Sequence, residues 1–525
     1  MVQTQIQNPI LRGFNPDPTI LKVEETYYIV VSSFEWLPGL RVYQSNDLVN
    51  WSHLTDILTE QVNLQGNPKD GSIWAPQLSY RDGLFYCIYS DVKNTTRPFK
   101  DVHNYLITAE RMTGPWSEAI YLNSSGFDPS LFHDEDGRYW FLNEIWDYRV
   151  TTSNKSAGIV LQEYDPISQT LIGEVYKIFD GTVLAKTEAP HLYKRNGYYY
   201  LVTAEGGTGV NHSVTVCRAK KITGPYELDP NYPMLTASNL PDSPLQCTGH
   251  GSLVEGLNGK WYMAYLTTRP LQGKAILGRE TAIQEVVWTS DGWLRLANGT
   301  TKPEAVTLIE TTKEIEQQID TAFHDDFSSN ILNKEWNARR ILPSSNWCDV
   351  TSRPGYLRLV SGESPQSSFE NHLLAIRQKD FSFEATTQLE FMPKTFNQMA
   401  GLFLYLNESN YLYGYMTFDD DQGRVLRMMR CQNGEHTLFS TVVLIREQPL
   451  DLKIVVKETT GNYYWRQSQN EPWAKLGEEQ DLLFLAGGFT GNFIGIGVQD
   501  LDLKEGIHAD FAFFDYSPIH GSNKE

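Results

Sequence analysis

Cysteine is scarce in this 525-residue sequence, and its five cysteines stand far apart. No CxxC pair occurs, which excludes a zinc ribbon and a thioredoxin-like redox motif. So few scattered cysteines are typical of the reducing cytoplasm. The N-terminus also lacks the basic and apolar regions of a secretory signal peptide. We therefore expect a cytoplasmic protein.

Positive charge and long apolar runs are also in short supply. The sequence has 44 Lys and Arg against 64 Asp and Glu, a net charge of −20. Such a surface repels the phosphates of nucleic acids and of anionic membranes. No apolar run approaches the roughly 18 residues that a membrane-spanning helix needs. We expect neither a nucleic acid nor a membrane as partner.

Long amphipathic periods, the mark of surface helices, are rare too. The best candidate, residues 311–322, is short and polar. Aromatic residues, in contrast, make up 12% of the chain, beside 39 Gly and 25 Pro. This composition favours short strands joined by tight turns. An all-β fold class is predicted.

An internal repeat makes this prediction more specific. Five similar segments, each an apolar strand, a turn and an aromatic strand, follow one another at intervals of roughly 55–60 residues. Four of them carry Asp-Gly or Asn-Gly at the turn, which predicts type I′ hairpins. A hairpin repeated five times at this spacing indicates a five-bladed β-propeller with four strands per blade. The segments begin at Asp17, Trp74, Asp128, Glu188 and His250.

The rest of the sequence has a different pattern. Residues 323–525 show short alternating strands without the repeat, which predicts a β-sandwich. We therefore predict a catalytic propeller over residues 1–310, a linker over 311–322 and a sandwich domain over 323–525.

The first residues of the five inner strands converge at one end of a propeller's channel. Three of them, Asp17, Asp128 and Glu188, are acids. A lone Asp-Pro pair could simply shape a turn, but three acids in register with a repeat favour catalysis. Glycoside hydrolysis needs one carboxyl group as proton donor and another to activate water or attack the sugar. Carboxyl groups from different blades leave room for a water, so we expect inversion and a separation of roughly 6.5–9.5 Å.

The residues around these acids carry a family resemblance. Residues 15–18 (NPDP), 126–130 (GFDPS) and 187–191 (TEAPH) resemble the three catalytic motifs of family 43 glycoside hydrolases. The two-domain β-xylosidases of that family pair a five-bladed propeller with a concanavalin-like sandwich. The resemblance implies that Asp17 is the general base, Asp128 modulates pKa and orientation, and Glu188 is the general acid of an inverting enzyme.

The resemblance also implies a set of substrate contacts, with the sandwich closing the pocket. No cofactor is required, and a calcium ion or a water near the axial His250, as in some relatives, is left open. A buried aromatic of an all-β protein often belongs only to the core, whereas at the axis it can stack on a sugar ring. The link at residues 271–277 is shorter than in many relatives, which leaves the shape of the aglycone side open. The expected substrate contacts are Phe34, Trp74, Trp146, Thr208, His250, Arg279 and Phe493.

The predicted function is an exo-acting β-xylosidase that releases D-xylose from the non-reducing ends of β-1,4-xylo-oligosaccharides. An α-L-arabinofuranosidase, as main or side activity, is the alternative, and a non-catalytic carbohydrate-binding protein is a remote one. Retaining fructosidases also have five blades, but they carry Asn-Asp-Pro-Asn and Glu-Cys motifs that this sequence lacks at 15–18 and 188–189. The resemblance further suggests a homo-oligomer.

Overall fold

Five four-stranded or five-stranded antiparallel sheets surround a common axis in the computed structural model, which describes residues 1–439, 443–444, 446–447, 449–503 and 506–519. The sheets follow one another along the chain, one for each sequence repeat. The second strands of the hairpins are rich in β-branched and aromatic residues and are buried at successive positions, as in Leu84–Asn94, Tyr139–Trp146 and Tyr198–Glu205. Both faces of these strands are covered because each blade packs against its neighbours. The predicted five-bladed propeller is confirmed.

The strand bounds of the blades are as follows. Blade 1 comprises Thr19–Val23, Thr26–Val30, Gly39–Ser45 and Ser52–Leu58. Blade 2 comprises Ser72–Ile73, Gln77–Arg81, Leu84–Asn94, Asp101–Ala109 and Ile120–Asn123. Blade 3 comprises Ser130–His133, Tyr139–Trp146, Ser156–Asp165 and Thr170–Phe179. Blade 4 comprises Glu188–Arg195, Tyr198–Glu205, Ser213–Ala219, Glu227–Leu228 and Leu235–Thr236. Blade 5 comprises Gln246–Glu255, Trp261–Thr268, Glu280–Trp288 and Leu294–Leu296, with a 3₁₀ turn at Leu257–Gly259.

Three of the four predicted type I′ turns have positive φ at both central residues, namely 82–83, 196–197 and 258–259. The turn at 136–137 differs, because only Gly137 has a positive φ. Gly137 there donates its backbone N–H to the Asp134 carbonyl, which makes a longer turn. The buried Asp134 carboxylate also accepts hydrogen bonds from Lys194 and Tyr199 of the next blade, so this turn is tied to blade 4. The type I′ prediction is wrong at this position.

Two more sheets form the predicted β-sandwich. One sheet comprises Phe323–Asp325, Cys348–Asp349, Leu357–Val360, Ser382–Glu390, Leu450–Lys457, Thr460–Arg466, Ala474–Asp481 and His508–Pro518. The other comprises Trp36–Leu37, Asn337–Arg339, Leu373–Arg377, Gln398–Asn407, Asn410–Asp419, Gly423–Gln432, Glu435–Leu438, Val443–Leu444 and Phe493–Asp500. Their facing apolar side chains form a large core, which includes Leu402, Ile454 and Phe511. The predicted sandwich is therefore confirmed.

The chain bounds of the domains stay a prediction. Val2–Gln7 pairs with Val306–Thr311, which brings the chain start to the end of the predicted propeller. Residues 312–322 contain no strand, and Phe323–Asp325 pairs with the strand His508–Pro518. Residues 520–525 of the predicted sandwich lie outside the described residues.

The propeller and the sandwich share an edge strand and a buried ion cluster. Trp36–Leu37 of blade 1's connection pairs with Asn337–Arg339 at the edge of a sandwich sheet. Beside it, the buried Glu35 carboxylate lies 3.5 Å from Arg339 and 3.8 Å from Arg340. Breaking a buried ion pair leaves an uncompensated charge, so these contacts fix the position of the sandwich against the propeller.

Candidate active site

A cavity of about 200 Å³ opens at one end of the propeller axis. Loops of several blades and one loop of the sandwich line it. Nine of the ten predicted site residues lie on its wall, and Phe493 does not. The nine are Asp17, Phe34, Trp74, Asp128, Trp146, Glu188, Thr208, His250 and Arg279. Their individual roles stay predictions.

Asp17 is held as an ionised carboxylate. One oxygen accepts a hydrogen bond of 2.7 Å from Arg279 Nη1, and the other accepts one of 2.6 Å from Ser32 Oγ. Burial alone would raise the pKa of Asp17. The positive charge of Arg279, together with smaller contributions that include the Ser32 hydrogen bond, outweighs burial and leaves this pKa below its ordinary value. Asp17 is therefore equipped to accept a proton from water.

Glu188 has the opposite character. Burial raises the pKa of Glu188 to about 8, the neighbouring Glu144 carboxyl acts in the same direction, and the charge of Lys100 opposes them. The side chain is therefore protonated at neutral pH. A half-buried, protonated carboxyl group at a cavity wall is suited to donate a proton to a leaving oxygen.

Asp128 resembles Glu188 rather than Asp17, because its pKa is also raised. Burial, then the neighbouring Glu188 and Asp17 carboxyls, raise the pKa of Asp128 well above its ordinary value. The chain just before Asp128 passes very close to the backbone of Glu144. A Cβ on Gly126 would lie 1.8 Å from the Glu144 carbonyl oxygen. Only glycine fits at this position.

Aromatic rings form the walls above the acids. The rings of Phe34 and Trp74 lie 6.1 Å apart, and those of Trp74 and Phe127 lie 5.3 Å apart in an edge-to-face contact. The Trp146 ring lies 6.1 Å from the Phe127 ring, and the Trp146 indole N–H donates a hydrogen bond to the Pro98 carbonyl. These planar faces can pack on the apolar faces of a sugar ring.

The sandwich reaches the cavity through Phe489, and this corrects the prediction of Phe493. The Phe489 ring lies on the cavity wall, stacked 6.1 Å from Phe34. Phe493 is wholly buried behind the wall, stacked 3.7 Å from Trp36. The physical reason is that Phe493 begins a central sandwich strand, whereas Phe489 lies in the preceding loop. Asp70 of the propeller fixes this loop by accepting the Phe489 backbone N–H.

Sequence reasoning missed a lysine in the aromatic wall. The Lys100 nitrogen lies 4.4, 4.3 and 4.0 Å from the ring centroids of Trp74, Phe127 and Trp146. Burial lowers the pKa of Lys100 to about 8. A cation enclosed by three aromatic faces gains attraction from each of them. Lys100 lies in a loop outside the repeat, so no periodic pattern indicated it.

Glu205 is wholly buried beneath the site. Its buried carboxylate accepts hydrogen bonds from the Thr187 and Thr215 hydroxyls at 2.8 and 3.1 Å. It also accepts the Thr182 backbone N–H at 2.8 Å. Thr187 directly precedes Glu188, so Glu205 fixes the chain that carries this carboxyl group.

The surroundings of His250 do not fit a calcium site. Calcium takes six to eight oxygen ligands. His250 Nδ1 lies 3.7 Å from Asp17, whose two oxygens are already bonded to Arg279 and Ser32. Within the described part of the chain, no group of three or more His, Cys, Asp or Glu is placed to hold a metal ion.

A pair of carboxyl groups with opposite protonation, in a cavity walled by aromatic rings, is the arrangement of a glycoside hydrolase. Two family models match the sequence: "Glycosyl hydrolases family 43" over residues 6–294, and "Beta xylosidase C-terminal Concanavalin A-like domain" over residues 324–517. The chain belongs to glycosyl hydrolases family 43, an inverting family, and it is a glycosidase.

Similar proteins match along the full chain. The beta-xylosidase of Bacillus subtilis (strain 168) is 41% identical, with 98% of this chain and 99% of that one covered. Xylosidase/arabinosidase 43B of Humicola insolens is 40% identical, with 99% of each chain covered. The crystal structure of xylan beta-1,4-xylosidase from Bacillus halodurans C-125 has a TM-score of 0.94 at 44% identity, with 98% of this chain and 100% of that one covered.

No helix among the described residues is long and apolar enough to cross a membrane.

Proposed function

We propose that this glycosidase is an exo-acting β-D-xylosidase, which releases D-xylose from the non-reducing ends of β-1,4-xylo-oligosaccharides. The observation that carries the proposal is the opposite protonation of Asp17 and Glu188 in one cavity. The xylosidases among its similar proteins support the choice of sugar.

The chemistry follows from these two groups. Asp17 accepts a proton from a water molecule, whose oxygen attacks the anomeric carbon from one face. Glu188 donates its proton to the glycosidic oxygen as the bond to the leaving group breaks on the opposite face. Asp128, whose pKa is also raised, modulates the pKa and the orientation of Glu188 in this proposal. Because one displacement occurs, the configuration at the anomeric carbon is inverted.

The exo mode is supported by the closed side of the cavity. Arg279 Nη1 contacts Asp17, and Arg279 Nε donates to the Phe489 carbonyl of the sandwich at 2.9 Å. The sandwich thus covers the side of the cavity next to the base. A chain end fits such a pocket, whereas an internal segment of a polymer needs a cleft open at both ends.

Products from xylobiose and xylotriose test this proposal. We expect xylotriose to yield xylose and xylobiose first, and xylobiose to yield xylose alone. A catalytically dead Asp17→Asn variant, purified in the same way, controls for contaminating activity. Release of no sugar, or of products from internal cleavage only, would contradict the proposal.

An α-L-arabinofuranosidase activity is the second candidate. The observation that favours it is the similarity to Xylosidase/arabinosidase 43B of Humicola insolens. The value of kcat/KM on 4-nitrophenyl β-D-xylopyranoside, divided by that on 4-nitrophenyl α-L-arabinofuranoside, decides between the two activities. We propose that the xyloside is preferred, and a ratio below one would reverse the assignment.

We also propose a cytoplasmic, homo-oligomeric enzyme. The scattered unpaired cysteines support a reducing compartment, since all five are free thiols. Analytical ultracentrifugation tests the assembly, and a single monomeric species would contradict it.

A further inference from the structure

The outer part of the cavity is formed by loops of blades 2, 3 and 4. Arg97 and Lys186 are exposed there, whereas Asp17 and Arg279 are at most 6% exposed at the bottom. A leaving group bonded to the sugar beside Glu188 must extend from the bottom toward solvent. It therefore passes the outer loops, which place Thr95, Arg97, Asn154, Lys186 and Thr208 on the wall.

The charge of this outer wall is opposite to that of the molecule. The chain carries a net charge of −20, yet the charged side chains on the outer wall are Arg97 and Lys186. Within the described ranges, neither side chain has an ion pair or a hydrogen bond. A Cβ on Gly207 would lie 2.6 Å from Lys186 Cδ, so the glycine gives the lysine room on the wall.

The cations at the bottom of the cavity already have partners within the protein. Arg279 is paired with Asp17 at 2.7 Å. Lys100 lies among three aromatic rings, and its charge acts on Glu188 and other buried acids. Arg97 and Lys186 are therefore two further positive charges on the outer wall, and no carboxylate of the described residues compensates them.

We propose that the aglycone side of the cavity selects leaving groups that carry a carboxylate, the chemistry of a uronic-acid-substituted xylo-oligosaccharide. This inference rests on the proposed function, because it assigns the outer wall to the leaving group of that reaction. A carboxylate there gains charge-assisted hydrogen bonds from a guanidinium and an ammonium group. It also replaces no existing ion pair, so binding does not break an internal contact.

The test compares two aryl xylosides that differ in charge. 4-Carboxyphenyl β-D-xylopyranoside has an anionic aglycone, and 4-carbamoylphenyl β-D-xylopyranoside is its neutral counterpart of similar shape. The measured quantity is the ratio of their kcat/KM values for the wild type, Arg97→Gln and Lys186→Gln. Intrinsic reactivity cancels when the ratio is compared between proteins. Lys302→Gln is the matched control, since Lys302 is exposed and lies off the cavity wall.

We expect each of the two cavity variants to lower the anionic-to-neutral ratio about two- to fivefold, as for an exposed ion pair. The Lys302→Gln ratio should equal that of the wild type, and added sodium chloride should lower the wild-type ratio by screening. A fall confined to one variant assigns the contact to that residue and supports the inference.

Equal ratios in both cavity variants and the control would overturn the inference. Continued hydrolysis of the neutral xyloside would leave the proposed function standing in that case, and it also shows that the variants fold. If the wild type hydrolysed neither xyloside, the proposed function would fail and the inference with it.

Discussion

Asp17 and Glu188 lie on the wall of one cavity, yet their surroundings push their pKa values apart. Arg279 and Ser32 donate hydrogen bonds to Asp17, which favours the charged form. Glu188 faces the Glu144 carboxyl, and no described residue donates such a pair of hydrogen bonds to it, so burial favours the neutral form. A division of acid and base duties follows from the neighbours of each side chain.

Removal of the acid should depend on the leaving group. For Glu188→Ala we expect kcat/KM on xylobiose to fall about 10²–10⁴-fold, because a sugar leaving group needs protonation. On 2,4-dinitrophenyl β-D-xyloside the fall should be small, because this phenolate leaves without a proton. Steady-state kinetics on both substrates gives the comparison.

Asp17→Asn is the matched control, since loss of the base should slow both substrates to a similar extent. An equal loss on both substrates in Glu188→Ala would remove Glu188 as the acid.

The pH profile should report the same two groups. Asp17 must be ionised, so kcat/KM should fall only when the pH drops below the lowered pKa of Asp17, under its ordinary value of 3.8. Glu188 must be protonated, so kcat/KM should fall as the pH rises through about 8. Initial rates after brief exposure to each pH separate this effect from unfolding. An alkaline limb near 4.5, the ordinary value for Glu, would contradict the assignment.

At the scale of elements, the loop before a sandwich strand completes the cavity. Phe489 and Phe493 are four residues apart, yet one lines the cavity and the other packs behind it. The Phe489 backbone is held at both ends by the propeller, through Asp70 and Arg279. The two rings therefore have separate duties, which substitution can distinguish.

Phe489→Ala should impair substrate binding and leave most of the stability intact. We expect KM to rise about tenfold, with about 1–2 kcal/mol lost from the free energy of unfolding because the ring is only partly buried. Phe493→Ala should instead cost about 3–5 kcal/mol, since it empties a wholly buried site. Urea unfolding and xyloside kinetics on both variants give the measurements. A larger rise in KM for Phe493→Ala would reverse the two assignments.

The blades could be predicted from sequence because each hairpin is local. Alternating strands and turns such as Asn196-Gly197 carry their own pattern. Asp17, Asp128 and Glu188 occupy equivalent positions in the repeat, and the structure places all three on one cavity wall. Phe489 and Lys100 could not be predicted in this way, because each lies in an irregular loop whose position depends on distant partners. The pairing of Trp36–Leu37 with the sandwich is non-local for the same reason.

At the scale of the whole molecule, the sandwich and the propeller form one site. A hydrophobic cluster joins the cavity residues Phe34 and Trp74 to Phe403 and Phe493 of the sandwich. Arg377 of the sandwich donates to the Phe14 carbonyl, close to the strand that presents Asp17. The base and its arginine therefore depend on both domains for their positions.

The stereochemistry of hydrolysis is the most direct test of the claim that Asp17 and Glu188 act as base and acid in one displacement. Proton NMR during the first turnovers of a β-linked xyloside distinguishes the anomers before they interconvert. We predict that α-xylose forms first, as a water activated by Asp17 requires. Early β-xylose would show a double displacement and would contradict the account.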